Sequence, residues 1–503
     1  MHGQETERNV LFVVLDTVRK DRLSVYGYDR PTTPNLSAFA EEATVFEQAV
    51  APAPWTLPVH ASMFTGLYPG EHGASQGRPY LQGTTTLAEV LAARGYDTAC
   101  YSANAWITPY TGLTAGFAHQ DNFFEIMPGD LGSGPLARLW RGMNDNDRLR
   151  AVANWLVHVG NEVHERLAAG SGADSKTPAA IDRTIEFVEG TDGPFFAFLN
   201  LMDAHLPYHP PEEYREEFAP GVDPTTVCQN SKEYNSGARE IDDEEWAAIR
   251  GLYDAELAHL DAEVGRLLDW LASSGRAEET TVVICADHGE LHGEHGLYGH
   301  EFCLYDELVN VPLLIADPAI DDGRRADQVE LLDLYHTILD VSGADDVETV
   351  SDSATAFDPR RSLRRDGYRA FDESAFAFVE YDRPVVELDQ LERKASAAGI
   401  ELDRESRFYS RMRAVRRADA KYVQNERIPD EFYRLDRDPA ETTSRLSDGN
   451  GREAELREAL SRFEERVGEW PTDVGLSPSN GSDAVEEMDD ATKDRLRRLG
   501  YLE

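Results

Sequence analysis

Four short apolar runs constrain most strongly what this sequence can fold into. Each is rich in Val, Ile, Leu and Phe and has the length of a strand that is buried on both faces. They are VLFVVL at 10–15, FFAFLNL at 195–201, TVVICA at 281–286 and VPLLI at 311–315. Helical patterns alternate with them, and this alternation predicts an α/β fold with a mostly parallel sheet flanked by helices.

The helical patterns have apolar residues three or four positions apart, and several begin with Pro, Thr or Asp and end with Gly. They are TPNLSAFAEEA at 33–43, TTLAEVLAARG at 85–95, the span from about Asp243 to Ala272, and VELLDLYHTILDVSG at 329–343. In sheets of this kind, ligands bind beyond the carboxyl ends of the strands. Functional residues are therefore expected directly after the apolar runs.

A chain of 503 residues is too long for one domain of ordinary size. We predict a large α/β domain over 1–375, with a helical insertion at 125–177 over its site. The alternation fades after about Phe371, and KYVQNERIPDEFYRLDRDPAE at 421–441 is typical of two short strands joined by a turn. We therefore expect a smaller C-terminal α+β subdomain over 376–475, and an acidic tail with a short helix over 476–503.

The net charge of −44 excludes two kinds of partner. A chain this acidic repels nucleic acid phosphates and anionic membranes. Lysine is scarce while arginine is plentiful, a pattern that resembles the proteins of salt-accumulating haloarchaea, in which high ionic strength screens the self-repulsion. The alternative is an acidic protein from an organism without such salt. No partner chain is predicted, and the oligomeric state is left open.

The four cysteines form no CxxC pair, so a disulfide framework or a thiolate zinc site is not expected. The N-terminal MHGQETERN is polar and lacks the features of a secretory signal. No run reaches the length of about 18 apolar residues that a membrane span requires. We therefore expect no membrane span and a cytoplasmic location.

Two of the apolar runs end at residues that can bind a metal. Asp16 follows the first run, and Asp287 with His288 follows the third. Carboxylates and imidazole suit Zn²⁺, Mn²⁺ or another divalent cation. The alternative for the Asp-His pair alone is a solvated loop.

The stretch APAPWTLPVHASMFTGLYPGEHG at 51–73 is the most informative one. Its prolines predict a rigid, extended approach, and VHASMF begins a helix, so Thr56 is expected just ahead of a helix N-terminus. Backbone N–H groups and the helix dipole favour an anion there. A hydroxyl at this place suits ester chemistry, although Thr56 could instead only cap the helix.

The segment TLPVHASMFTGLYP at 56–69 resembles the signature of the sulfatase family, within the alkaline phosphatase superfamily. Further blocks follow in the family's order, over roughly 9–345 and again over about 410–445: LFVVLDTVRKDRLSVYGY, TTTLAEVLAARGYDTA, LNLMDAHLPY, VVICADHGELHGEHGLYGH, LYDELVNVPLLI, KYVQ and EFYRLDRDPAE. The resemblance implies an alkaline-phosphatase-like fold and a metal-dependent hydrolase of sulfate or phosphate esters. It also implies a small-molecule or glycan ester as substrate.

The resemblance assigns roles to particular residues. Phosphodiesterases of the superfamily hold a divalent metal (Zn, Mn, Ca or Mg here) with residues that match Asp16, Thr56, Asp287 and His288. Thr56 matches the nucleophile. His205 matches a histidine that contacts the transferred group, and His300 stands where sulfatases keep a lysine. His60, one turn into the helix, is a candidate proton shuttle, and a second metal site is conceivable from Asp203, His205 and His300.

The departures from the sulfatase pattern bear on the chemistry. Sulfatases convert a Cys or Ser to formylglycine, and threonine cannot form that aldehyde. His60 replaces the motif arginine, and Thr17 stands in place of a second metal-binding Asp. A threonine nucleophile would form a covalent ester that water hydrolyses or an alcohol intercepts. Two alternatives follow: a phosphodiesterase or phospho-group transferase on glycans or lipids, and a catalytically inactive metal- or glycan-binding protein.

Overall fold

The computed structural model describes residues 8–122, 175–446 and 451–470, apart from 82, 345, 347–350, 352, 366, 367, 369–375 and 469. Its strands are β1 (Asn9–Leu15), β2 (Thr44–Val50), β3 (Asp97–Ser102), β4 (His119–Asp121), β5 (Phe195–Leu201), β6 (Thr280–Ala286), β7 (Leu291–His292), β8 (Tyr298–Gly299), β9 (Asn310–Val311), β10 (Leu313–Ala316), β11 (Gly323–Glu330), β12 (Ala377–Tyr381), β13 (Met412–Arg417), β14 (Ala420–Asn425) and β15 (Glu431–Tyr433).

The helices, apart from short 3-10 turns, are α1 (Pro34–Phe39), α2 (Thr56–Thr65), α3 (Pro69–His72), α4 (Leu87–Ala93), α5 (Thr177–Gly190), α6 (Glu212–Phe218), α7 (Ser231–Asn235), α8 (Asp243–Ser273), α9 (Asp306–Val309), α10 (Asp333–Val341), α11 (Val385–Ala397) and α12 (Gly451–Val467).

The central sheet has nine strands in the order β11-β2-β10-β6-β1-β5-β3-β4, with β9 paired to β2. Only the short β9 and β10 run against the others in the described sheet. One group of helices, α2, α4 and α10, packs together, and α1, α5, α6 and α8 form a second group. The predicted α/β fold with a mostly parallel sheet flanked by helices is confirmed.

The first three apolar runs are the strands β1, β5 and β6, which form the buried middle of the sheet, and the fourth is divided at Pro312 between β9 and β10. The sequence reasoning did not identify β2, β3 and β11, whose polar residues interrupt the apolar pattern. It also placed the helix at 329–343 too early. Val329 and Glu330 end β11, and the helix α10 begins only at Asp333, because Val329 and Glu330 pair with β2.

The C-terminal part forms a small antiparallel sheet in the order β12-β13-β14-β15. The two short strands predicted within 421–441 are β14 and β15. Helix α12 packs on it, and the rings of Phe378 and Phe463 stack at 4.3 Å. The sheet also contacts the larger part, since Glu380 donates its N–H to the Pro52 carbonyl at 2.9 Å. This contact places β12 beside the segment that leads into α2.

Several predictions lie outside the described residues. The helical insertion at 125–177 falls there except for its last three residues, and so do the tail at 476–503 and most of the segment just before residue 376. The domain boundaries therefore stay predictions.

Candidate active site

The carboxyl ends of β1 and β6 bring two predicted metal ligands together. These strands are parallel neighbours in register, so Asp16 and Asp287 emerge side by side at one edge of the sheet. Thr17 adopts a left-handed φ of 57°, which is uncommon for a β-branched residue. In this conformation its N–H donates to Asp287 Oδ1 at 3.2 Å. The unusual backbone thus holds the second carboxylate against the end of the first strand.

Asp16, Asp287 and His288 form a buried cluster in which one ligand atom from each lies within 4.8 Å of the others. Asp16 Oδ1 and Asp287 Oδ2 find no hydrogen-bond partner among the described residues. Burial raises the pKa of Asp16, and it raises the pKa of Asp287 to about 7. Ionised carboxylates in such a place lack a compensating charge, and a divalent cation would supply it.

His288 completes the cluster through one ring nitrogen. Its Nδ1 donates to the Gly289 carbonyl at 3.0 Å, so Nε2 carries a lone pair. That atom lies 3.5 Å from Asp287 Oδ2 and 3.4 Å from Thr56 Oγ1. Burial lowers the pKa of His288 to about 3, which keeps the ring neutral. A lone pair and two carboxylate oxygens facing one another fit a divalent cation.

Thr56 is the first residue of α2, because the helix begins three residues before its predicted start at Val59. The preceding residue, Trp55, is the N-cap, and no side-chain capping bond is made in the described structure. The Thr56 hydroxyl instead accepts a hydrogen bond from Asn104 Nδ2 at 3.3 Å and faces His288. The hydroxyl is therefore directed into the cluster, which argues against a capping role alone.

Asn104 and Asn200 are site residues that the sequence reasoning missed. Asn104 Nδ2 donates to Asp16 Oδ2 at 2.8 Å as well as to Thr56, and Asn200 Nδ2 donates to the same Asp16 oxygen at 3.1 Å. The amides leave Asp16 Oδ1 as the open atom. Asn200 had a signal in the sequence, as the polar residue in an otherwise apolar run. Asn104 follows β3, a strand that the pattern did not reveal.

His60 lies beneath the site and is fully buried. Its Nδ1 donates to the Thr56 carbonyl at 2.9 Å, and its ring packs edge-on against Phe64 and Phe198. Burial lowers its pKa to about 3. A neutral ring in the core, engaged with the backbone of Thr56, favours a positioning role over the proton shuttle.

His205 and His300 lie close to the cluster, and the contact of His205 with a transferred group stays a prediction. The His300 ring is 4.5 Å from that of His288 and 5.5 Å from that of His205. His300 Nδ1 lies 3.4 Å from Glu290 Oε2, and burial lowers the pKa of His300. Glu290 is a fully buried acid that the sequence reasoning did not single out, and burial raises its pKa to about 8.

Asp203 does not join His205 and His300. It accepts hydrogen bonds from Ser175 Oγ at 2.5 Å and from Thr177 Oγ1, at the start of α5. The group of Asp203, His205 and His300 is not among the metal-binding clusters found in the described residues. The structure therefore gives the second metal site no support, because Asp203 is committed to the start of a helix.

A pocket lies beside Thr56. It is lined by Trp55, Thr56, Gln76, Trp106, His205, His300, Glu301, Tyr381, Pro384 and Glu387. Tyr381, Pro384 and Glu387 come from the C-terminal part, so both parts of the chain line the pocket.

The sulfatase family profile matches residues 8–344 of this chain. The chain belongs to the sulfatase family. An arylsulfatase from Clostridium perfringens is 25% identical over 414 residues, which cover 74% of this chain and 83% of the relative. A choline-sulfatase from Rhizobium meliloti is 22% identical over 478 residues, which cover 88% of this chain and 83% of the relative.

Solved structures agree with this family in their fold. The phosphonate monoester hydrolase of Agrobacterium radiobacter superposes with a TM-score of 0.65 at 22% identity, over 92% of this chain and 96% of that one. This sulfatase-family chain is a sulfatase-like ester hydrolase of the alkaline phosphatase superfamily. In its described part, no helix combines the length and the apolar character needed to cross a membrane.

Proposed function

We propose that this sulfatase-family protein hydrolyses sulfate, phosphate or phosphonate esters of small molecules or glycans, with Thr56 as the nucleophile and a divalent cation as cofactor. One observation carries the proposal. The Thr56 hydroxyl faces a cluster of buried metal-binding atoms, two of which, Asp16 Oδ1 and Asp287 Oδ2, lack a partner in the described structure. Buried carboxylate oxygens usually have a hydrogen-bond partner, so two unpartnered ones that lie together beside a hydroxyl support a cation site.

The proposed metal ligands are Asp16, Asp287, His288 and Thr56. A bound cation would lower the pKa of the hydroxyl and polarise the ester. Asn104 and Asn200 orient Asp16, and Thr17 orients Asp287 through its N–H. The metal identity, among Zn, Mn, Ca and Mg, is left to experiment.

The reaction proceeds in two displacements. Thr56 Oγ attacks the phosphorus or sulfur in line, the bond to the substrate alcohol breaks, and the alcohol leaves with a proton. Water then attacks the same atom, the bond to Thr56 Oγ breaks, and the hydroxyl is restored. In this mechanism His205 and His300 would donate to the non-bridging oxygens, and Asn104, which donates to Thr56 Oγ1, would orient it for in-line attack.

Threonine at the nucleophile position favours phosphate and phosphonate esters over sulfates. Without a formylglycine hydrate, this chain lacks a second hydroxyl that could expel the bound group. The covalent threonine ester must therefore be released by water. The same covalent ester would serve a transferase if an alcohol replaced the water, so product analysis must include acceptor alcohols.

The test is an assay of the chelated protein refilled with Zn²⁺, Mn²⁺, Mg²⁺ or Ca²⁺ and given p-nitrophenyl sulfate, phosphate, phenylphosphonate and a phosphodiester. We expect turnover of at least one ester that requires the metal and falls by at least about 10³-fold in Thr56→Ala. Thr65→Ala is the matched control, because it removes a hydroxyl from the same helix that bonds to backbone groups, the Ala61 carbonyl and the Leu67 N–H, and not to the metal-binding cluster. Equal turnover in wild type and Thr56→Ala would overturn the nucleophile.

We also propose that the protein works in the cytoplasm of a salt-accumulating, haloarchaeal-type cell. The net charge of −44 supports this proposal, because concentrated salt would screen the resulting repulsion. The salt dependence of stability, treated below, tests it.

A further inference from the structure

Two acidic residues line the pocket beside Thr56. They are Glu301 and Glu387, and their side chains are 4% and 3% exposed. Glu301 Oε2 and Glu387 Oε2 have no hydrogen-bond partner among the residues that the structure describes. A buried carboxylate oxygen without a hydrogen-bond partner is costly. A positively charged group bound in the pocket would stabilise both of these oxygens.

One lysine neutralises only part of this charge. Lys232 Nζ donates to Glu301 Oε1 at 2.5 Å. Burial alone would raise the pKa of Glu301, but the charges of Lys232 and His300 outweigh it, and the pKa is lowered. Glu387 accepts from the Gln76 side chain, which is neutral. Two glutamates facing one lysine leave the wall negative by one charge when both are ionised. That charge repels an anionic alcohol and attracts a cationic one.

Aromatic rings form the rest of the wall. Trp55 and Trp106 meet edge to face, with ring centroids 5.7 Å apart and planes 79° apart. Tyr381 lines the same pocket, and its hydroxyl oxygen accepts a hydrogen bond from the N–H of Phe302 at 3.0 Å. Two indoles nearly at right angles form a corner of the kind that holds quaternary ammonium groups by cation–π attraction. The rings thus add a second, independent preference for a cation.

We infer that this pocket binds the alcohol part of the substrate as an ammonium group, so that the preferred substrates are esters of small ammonium alcohols. This inference rests on the proposed function for the position of the reacting ester at Thr56. The ester anion would lie at the metal cluster and the ammonium group between Glu387, Glu301 and the two tryptophans. A dianionic or polysulfated glycan would meet the negative wall instead.

The first experiment compares substrates that differ only in charge. Choline sulfate and choline phosphate are each paired with the ester of 3,3-dimethylbutanol, in which carbon replaces the ammonium nitrogen. Burial raises the pKa of Glu387 to about 7, so the assay is run at pH 8.5, where this carboxylate is ionised. We expect kcat/KM for the choline ester to exceed that of its neutral isostere by at least about 10-fold. Equal values would overturn the inference.

The second experiment tests whether Glu387 causes the preference for the choline ester. Glu387→Gln should lower the ratio of the two kcat/KM values several-fold, and the ratio cancels any general loss of activity. Glu392→Gln is the matched control, since it removes the same charge from the same helix but at a side chain that is 39% exposed. An unchanged ratio in Glu387→Gln would overturn the role of this carboxylate, and an equal fall in both variants would reduce the effect to general electrostatics.

A binding measurement separates failure of this inference from failure of the proposed function. Choline chloride and 3,3-dimethylbutanol are titrated into the metal-loaded wild-type protein while tryptophan fluorescence is recorded. We expect saturable quenching with choline at concentrations at least about 10-fold lower than with the alcohol. Choline binding without turnover of any ester would reject the hydrolase mechanism and keep the pocket. Turnover of p-nitrophenyl esters without choline preference in binding or catalysis would reject the ammonium pocket and keep the hydrolase mechanism.

Discussion

At the scale of single residues, Asn104 connects the nucleophile to the metal cluster. Its one amide group donates to both Asp16 Oδ2 and Thr56 Oγ1. Asn104→Ala should lower kcat by about 10- to 100-fold with little change in KM, because a nucleophile out of line costs rate more than binding. Steady-state kinetics on the best p-nitrophenyl ester checks this. Ser273→Ala, an exposed polar truncation at the end of α8 whose hydroxyl donates to the Trp270 carbonyl, is the control, and an Asn104→Ala variant with wild-type kcat would contradict the role.

Asp287 should make the stability of the metal-free protein depend on pH. Burial raises its pKa from 3.8 to about 7, so the folded state holds the proton more tightly than the unfolded state. The stability it contributes is complete below about pH 4 and is lost as the pH rises through 7. We expect the Tm of the chelated wild type to fall over this window, and that of chelated Asp287→Asn to fall less.

Adding metal should raise the Tm of the wild type above that of Asp287→Asn. At a concentration of 100 times Kd, a cation stabilises the wild type by about 2.7 kcal/mol, because it binds the folded state alone. Asp287→Asn should gain little, since it lacks one ligand. A wild-type Tm at pH 8 that does not respond to any of the four cations would contradict the metal site.

At the scale of secondary-structure elements, the C-terminal end of helix α2 depends on a glycine. Its C-cap, Gly66, has a φ of 69°, and its N–H donates to the Ser62 carbonyl. A Cβ at this position would lie 2.7 Å from the ring of Tyr335 on α10. Gly66→Ala should therefore lower the free energy of unfolding by about 2–4 kcal/mol, from backbone strain and overpacking together.

Gly95→Ala is the matched control for this prediction. Gly95 also has a positive φ, of 87°, but a Cβ there would meet no described atom within 4 Å. It should lower the free energy of unfolding by only about 1 kcal/mol, the cost of the left-handed conformation. Urea denaturation of both variants measures the difference, and equal losses would show that the contact with Tyr335 is unimportant.

At the scale of the whole molecule, the net charge of −44 sets the response to salt. Repulsion among so many carboxylates opposes the compact state, and dissolved ions screen this repulsion. The screening length is about 3 Å at an ionic strength of 1 M and about 10 Å at 0.1 M. We expect the Tm to rise steadily between 0.1 and about 3 M KCl. Sucrose at equal osmolality is the control, because it does not screen charge. A Tm that is the same at low and high KCl would argue against a protein adapted to salt.

The sequence alone was sufficient to predict the fold class, the four apolar strands, and the meeting of Asp16 with Asp287 and His288. Short buried strands are recognised from local composition, and parallel strands necessarily end at a common edge. The segment around Thr56 was identified from its resemblance to the sulfatase signature. The start of α10 was predicted wrongly because the pairing of Val329 with β2 outweighs the helical period of the segment.

Only the tertiary structure decided which side chains share the site. It turned Asp203 toward Ser175, buried His60 against Phe198, and brought Asn104 to Thr56. It also placed Glu387 beside the nucleophile pocket although more than 300 residues separate it from Thr56. The sequence determined the chemistry available to this chain, because residue types and local periods are written in it. The directions of side chains and the charge of the pocket depend on contacts between distant segments, which no local pattern specifies.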